Sequence, residues 1–174
     1  MPLGPRRSSR SVRRQRRRTT WADTGLISGT AIAAGNSAVV DLLAQLVPTT
    51  LALQEAGMTV RRTIITGILN GTAAGDAFHV ALAVLRRTDL AATVAGFSPA
   101  DIATENWAID WCWNDTVFAT TSGAAVDTNT QFKIDTRVMR RITDPGLRYA
   151  FVINNANGTA RSWTWRARTL VALP

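Results

Sequence analysis

The chain has 174 residues, of which 46% are hydrophobic and 18% charged, with a mean hydropathy of +0.02. That length suffices for one domain with its own core, while a single cysteine (Cys112) and a single histidine (His79) exclude a disulfide framework and a cysteine/histidine zinc site. The formal charge of +8 is unevenly placed: residues 1–20 hold eight arginines and no acid, whereas residues 21–174 hold 12 basic and 12 acidic side chains and are neutral.

The first predicted unit is an arm over residues 1–20, MPLGPRRSSRSVRRQRRRTT, with Arg6, Arg7, Arg10, Arg13, Arg14, Arg16, Arg17 and Arg18. It has almost nothing apolar to bury and its like charges repel, so it is expected to be disordered in isolation. Fully stretched it reaches roughly 65–70 Å. Arginine forks match phosphate oxygens and each neutralised phosphate releases a counterion, so the expected ligand is a polyanion, bound with salt sensitivity and no base reading. A transit helix would need an apolar stripe, and only Met1, Leu3 and Val12 are available. A twin-arginine export signal would need an apolar stretch where Asp23, Gly25, Gly29 and Gly35 stand. A nuclear-localisation patch, a solvated tail and contact with an acidic membrane surface remain compatible with the run. No stretch of 18 apolar residues exists, so no membrane span is expected.

From Trp21 onward short apolar runs alternate with turn residues, and eight strands are predicted: 26–34, 37–47, 58–72, 77–87, 107–121, 131–141, 147–154 and 161–173. In 58–72, Val60, Ile64 and Ile68 share parity with Arg62 and Thr66; in 77–87, Phe78, Val80, Leu82 and Val84 line one face. Residues 49–57 read as a helical turn or a loop, 98–106 as a short helix, and 122–130 as a polar loop. Asp-Pro-Gly (144–146) and Asn-Ala-Asn-Gly (155–158) supply tight turns. The expected fold is all-β, an eight-stranded antiparallel jelly-roll sandwich over residues 21–174, because the uneven spacing includes the long connections that Greek-key crossings need.

Catalytic chemistry finds little support. A Ser–His–Asp triad would have to be built around His79, which lies on the parity of Ala77, Ala81 and Ala83. Cys112, between Trp111 and Trp113, reads as a small hydrophobe. No P-loop or GxGxxG occurs, and the dispersed acids match no calcium loop. Trp107, Trp111 and Trp113 are expected on one strand face, and Trp163 and Trp165 on another; core packing, a subunit interface and a sugar platform all fit them. The doublets Arg61-Arg62, Arg86-Arg87 and Arg140-Arg141, with Arg166 and Arg168, serve either ion pairs with the body acids or contact with nucleic acid. Three Asn-X-Thr sites, at Asn70, Asn114 and Asn157, read as turns.

With RRxxRxxRRQRRR at 6–18 followed by strands to Leu173, the layout resembles the single jelly-roll coat proteins of small icosahedral viruses, of the satellite or small circular single-stranded DNA type. The resemblance is one of architecture and carries no motif of a single viral family. It implies a non-enzymatic shell protein located in the virion, with a host-nuclear stage compatible with the basic run. Its implied partners are further copies of itself, about sixty in the simplest closed shell, and single-stranded viral RNA or DNA. No cofactor and no membrane are implied; calcium between subunits occurs in similar shells. The rival readings are a non-assembling nucleic-acid-binding β-barrel and a sugar-binding or trimeric β-sandwich with a basic tail.

Overall fold

A computed structural model describes residues 18–28, 31–44, 57–72, 75–86, 110–119, 128–144 and 146–173. Its regular elements are nine strands: β1 (Thr19–Asp23), β2 (Ile27–Ser28), β3 (Ser37–Asp41), β4 (Met58–Thr72), β5 (Ala77–Arg86), β6 (Asp110–Phe118), β7 (Thr128–Ile142), β8 (Leu147–Asn155) and β9 (Ser162–Ala172). All pair antiparallel. The first sheet runs β1-β9-β4-β7, with β2 also on β9; the second runs β3-β8-β5-β6. The expected helix at 98–106, the 49–56 segment and most of the 122–130 loop lie outside the described residues.

The count of nine reduces to eight lanes. β1 pairs with Arg168–Ala172 of β9 and β2 with Trp165 and Thr164, so the two are halves of one interrupted strand. The interruption is an ordered turn: Gly25 adopts φ 68°, its N–H donates to Asp23 Oδ1 at 2.9 Å, and Thr24 N–H donates to Ala167 O at 3.0 Å. Glycine tolerates this left-handed backbone because it has no Cβ. Across the eight lanes the first pairs with the last, the second with the seventh, the third with the sixth and the fourth with the fifth. That is the ladder of one long hairpin rolled into two facing sheets, which is a jelly roll.

Several boundaries move relative to the sequence reading: the strand expected at 37–47 ends at Asp41, where the Asp41 carboxylate accepts from Leu43 N–H and turns the chain, and residues 128–130 of the expected 122–130 loop pair with β4 as the start of β7. β1 begins at Thr19, so Thr19 and Thr20 of the segment assigned to the arm belong to the sheet, opposite Ala172 and Val171. Among the described residues, the strand expected at 26–34 is present as β2 and an isolated bridge between Ile32 and Arg161.

The core lies between the sheets. Trp163 and Trp165 of β9 stack with ring centroids 5.1 Å apart, and Phe151 of β8 meets them at 5.8 and 5.4 Å. Phe78, Val80, Leu82 and Val84 of β5 face the same core. Burial of such aromatic and branched side chains supplies most of the drive to fold.

Two irregularities reassign faces, because one extra residue reverses the parity of everything after it. In β4, Val60 pairs with Arg140 but Arg62 with Arg137, leaving an extra β7 residue around Met139, whose φ is 54°. Against β9, Val60 and Arg62 face the consecutive residues Val171 and Leu170. Met58 and Val60 therefore point inward, and beyond Arg61 the inward set becomes Thr63, Ile65 and Leu69. Ile64 and Ile68 turn out with Arg62 and Thr66, away from Val60, with which the plain alternation had grouped them.

In β6, Leu82 pairs with Trp113 and Ala83 with Trp111, so Cys112 is the extra residue. Trp111 and Trp113 consequently occupy opposite faces rather than the single face expected of them. Trp113 packs against the main core, and Trp111 against a second cluster made of Ala81, Ala83, Leu85, Ala150 and Val152.

Candidate nucleic-acid interface

The second cluster means that the second sheet is apolar on both faces, with β8 buried from Arg148 to Asn155. The charged residues at its far side that are described, Arg148 and Asp41, pair with each other at 3.5 Å. The outer face of the first sheet is the opposite case. Cross-strand register sets Arg62 beside Arg137, Thr66 between Arg166 and Lys133, and Ile64 between Arg168 and Asp135. Among the described residues this face carries six cations, Arg62, Lys133, Arg137, Arg141, Arg166 and Arg168, against two carboxylates, Asp23 and Asp135. A body that is neutral by composition thus sorts its charge, and the surplus of the described residues gathers on one sheet face.

The arrangement of those charges is specific. Arg62 grips Asp135 with two bonds, Nε to Oδ1 at 2.8 Å and Nη2 to Oδ2 at 2.7 Å. Arg166 grips Asp23 in the same forked way, with Nε to Oδ1 at 2.8 Å. Forked pairs of this kind fix the guanidinium plane. The Arg166 bond, helped by the Gly25 N–H, holds the Asp23 carboxyl down to about 2 from its ordinary 3.8. Arg62 lowers Asp135 likewise. Arg168 lies within 3.9 Å of the same Asp23 and also stands over the Trp21 ring, 5.0 Å from its centroid.

Arg18 is the arm arginine among the described residues. It is exposed, immediately precedes β1, and its carbonyl accepts a bond from Leu173 N–H at 2.7 Å. The chain leading to the arginine run is therefore fastened to the edge of the cation-bearing sheet. Arg6, Arg7, Arg10, Arg13, Arg14, Arg16 and Arg17, and also Trp107, lie outside the described residues.

Trp163 and Trp165 are buried in the core, with Arg166 and Arg168 on the opposite face of the same strand. The aromatic that does reach solvent near the cations is Trp21, 39% exposed. Sequence reasoning had passed over it, although the alternation Thr19, Trp21, Asp23 signals a strand with this face outward.

Arg140, from the remaining described doublet, bonds Asp110 at 3.0 Å and so ties β7 of the first sheet to β6 of the second along one edge of the sandwich. Cys112, beside that pair, is half-buried, and desolvation pushes its thiol up to about 11. It is a protonated packing group at neutral pH, unsuited to nucleophilic attack. His79 meets Thr116 Oγ1 at 3.1 Å through Nδ1 and stands outside the core. Among the described residues, no three metal-ligating side chains converge, and no helix is long and apolar enough to cross a membrane.

One end of the sandwich is locked by amides. Asn157 Oδ1 accepts from Ala77 N–H at 2.8 Å, and Asn157 Nδ2 donates to Ala77 O at 3.0 Å and to Asn155 Oδ1 at 2.7 Å. Arg161 and Asp76 pair beside them at 2.7 Å with both side chains largely buried. The outer face of the first sheet also holds a depression of about 560 Å³ between Leu26, Ile68, Lys133 and Arg166.

No family model matches the sequence, and no curated protein matches it. Among solved structures the chain is similar to one of Desmodium yellow mottle tymovirus, with a TM-score of 0.37 and 10% identity over 99% of this chain and 91% of that one. It is similar also to the three-dimensional structure of Cocksfoot mottle virus, with a TM-score of 0.32 and 16% identity over 99% and 95% of the two chains. The fold assignment stands on the strand pairing of this chain rather than on either likeness.

Proposed function

We propose that the chain is the shell subunit of a small icosahedral virus, which self-assembles and packages single-stranded nucleic acid through the arginines of residues 6–18. A jelly roll alone does not specify a function. The observation that carries the reading is the joining of three features: a jelly roll, an arm holding the whole formal charge surplus, and attachment of that arm at the edge of the cation-bearing sheet. Arm arginines neutralise genome phosphates and release counterions, which draws subunits together and relieves repulsion between arms. The sandwich supplies a rigid tile whose neutral body packs at high density without bulk repulsion.

The rival readings lose support on specific points. A five-stranded nucleic-acid-binding barrel has a different strand order. A sugar platform built on Trp163 and Trp165 is excluded by their burial.

The test is light scattering, negative-stain microscopy and ultraviolet absorbance of the purified full-length protein. The expected result is uniform particles, about 1.1 MDa for sixty copies of an 18.8 kDa chain, with strong absorbance at 260 nm. A monomer or trimer at every salt and pH would overturn the proposal. Removing residues 1–17, which spares β1, is expected to strip most of the nucleic acid while leaving the fold intact. Unchanged nucleic-acid content would remove the arm from the mechanism.

A further inference from the structure

We infer that the depression on the outer face of the first sheet is a subsite for one unpaired nucleotide, seating its base on the sheet and holding the phosphates on either side. The inference rests on the packaging proposal and extends it from the arm to a built surface on the body.

The sequence makes the hollow with two short side chains, Thr66 and Thr164, set among the longer Ile68, Lys133 and Arg166. Thr66 lies in one cross-strand row between Lys133 and Arg166, which stand about 10 Å apart across two strand spacings. Walls are supplied by Ile68, 36% exposed, and Leu26, 73% exposed. Leu26 follows the bonded turn at Asp23–Gly25, so an ordered piece of backbone presents an apolar side chain to solvent beside the hollow. An apolar wall of this size suits the face of a base, which gains by leaving water.

The rim suits a phosphodiester. Asp135 is engaged by both bonds of Arg62, and Lys133 has no carboxylate partner among the described residues. Arg166 uses Nε and Nη2 on Asp23, which orients its guanidinium and leaves Nη1 for a phosphate oxygen. Gln131, opposite Ile68, offers an amide donor and acceptor to a base edge without demanding one base. A base held in a duplex cannot enter such a hollow, so the ligand is single-stranded. The arm root is close enough to deliver it: from Leu173, beside Arg18, to Trp165 is about 25 Å along β9, within the extended reach of the arm. The cation excess on this face favours a nucleic acid over the apolar side chains of another copy.

The experiment uses full-length particles carrying nucleic acid. Ultraviolet crosslinking followed by peptide mass mapping is expected to mark peptides containing residues 131–133 or 164–166 as well as the arm. Lys133→Glu and Leu26→Ser, each at an exposed position, are expected to weaken binding of fluorescent decamers roughly fivefold, with the Lys133 variant flattening the salt slope by about one. Parallel decamers of RNA and DNA show which sugar the subsite takes. Crosslinks confined to the arm, with unchanged decamer affinity in both variants, would overturn the subsite and leave arm-driven packaging standing. Variants that bind decamers normally but no longer form particles would reassign the hollow to contact between copies. Full-length particles devoid of nucleic acid would instead overturn the packaging reading itself.

Discussion

The hydroxyl of Tyr149 lies 2.8 Å from Thr63 Oγ1, a polar contact that crosses the apolar core from β8 of the second sheet to β4 of the first. Both residues are fully buried, and burial pushes the Tyr149 phenol up, so it is a neutral group throughout the physiological range. A buried hydrogen bond fixes the relative placement of two sheets that apolar packing alone would allow to slide.

Removing one partner leaves the other desolvated and unpaired. Tyr149→Phe and Thr63→Val are each expected to lower unfolding stability by about 1–3 kcal/mol, and the double variant to cost less than the sum. Urea denaturation of the two singles and the double checks this. Strict additivity would mean that the two hydroxyls act separately.

Gly67 is constrained by space rather than by backbone angle. A Cβ placed there would stand 2.5 Å from the Phe132 ring and 2.8 Å from Trp165 Cβ, both in the core. Gly67→Ala is therefore expected to destabilise by about 1–3 kcal/mol, and Phe132→Leu to recover part of the loss. Stability within about 0.5 kcal/mol of the parent would show that the core repacks around the added methyl.

The long strands β4, β5, β7, β8 and β9 were legible because alternation is a local signal. Placement of Trp111 and Trp113 was not legible. Period two assigns them one face, and the extra residue at Cys112 that separates them follows from pairing with β5, a contact distant in sequence. The same holds for Arg61, where an irregularity shared with β7 and β9 reverses the faces of Ile64 and Ile68. The cationic sheet face escaped notice for a related reason. Lys133 and Arg166 are 33 positions apart in the chain and become neighbours of Thr66 only through register. Trp21 was overlooked because a five-residue strand beside an arginine run carries too few alternations to stand out.

Asn157 begins a sequence that matches a glycosylation site, yet its amide closes the start of β5. With Oδ1 bonded to Ala77 N and Nδ2 bonded to Ala77 O and Asn155 Oδ1, no nitrogen hydrogen is left for modification without breaking the lock. Asn157→Ala is expected to cost about 1–3 kcal/mol and to raise hydrogen exchange at the Ala77 amide. The Val80 amide, inside the ladder, should keep its protection. Unchanged exchange at Ala77 would show that the bond contributes little to closing the strand.

Acid should weaken the root of the arm before the core. Asp23 has a folded value of about 2, set first by its bond from Arg166 and then by the Gly25 N–H, against 3.8 for an unperturbed carboxyl. Because the folded value is depressed, its contribution to stability is fully present above the unfolded value and is lost as pH falls through the folded one. Asp135, lowered by Arg62, acts in the same direction on β4 and β7. In Asp23→Asn the amide oxygen can still accept from Gly25, so comparison with the parent isolates the charge paired with Arg166 and Arg168. The melting-temperature gap between the two proteins is expected to be constant from pH 7 to about 5 and to close between about 4 and 2. A gap that persists undiminished at pH 2 would assign the effect of the substitution to packing of the β1 turn instead of to ionisation of Asp23.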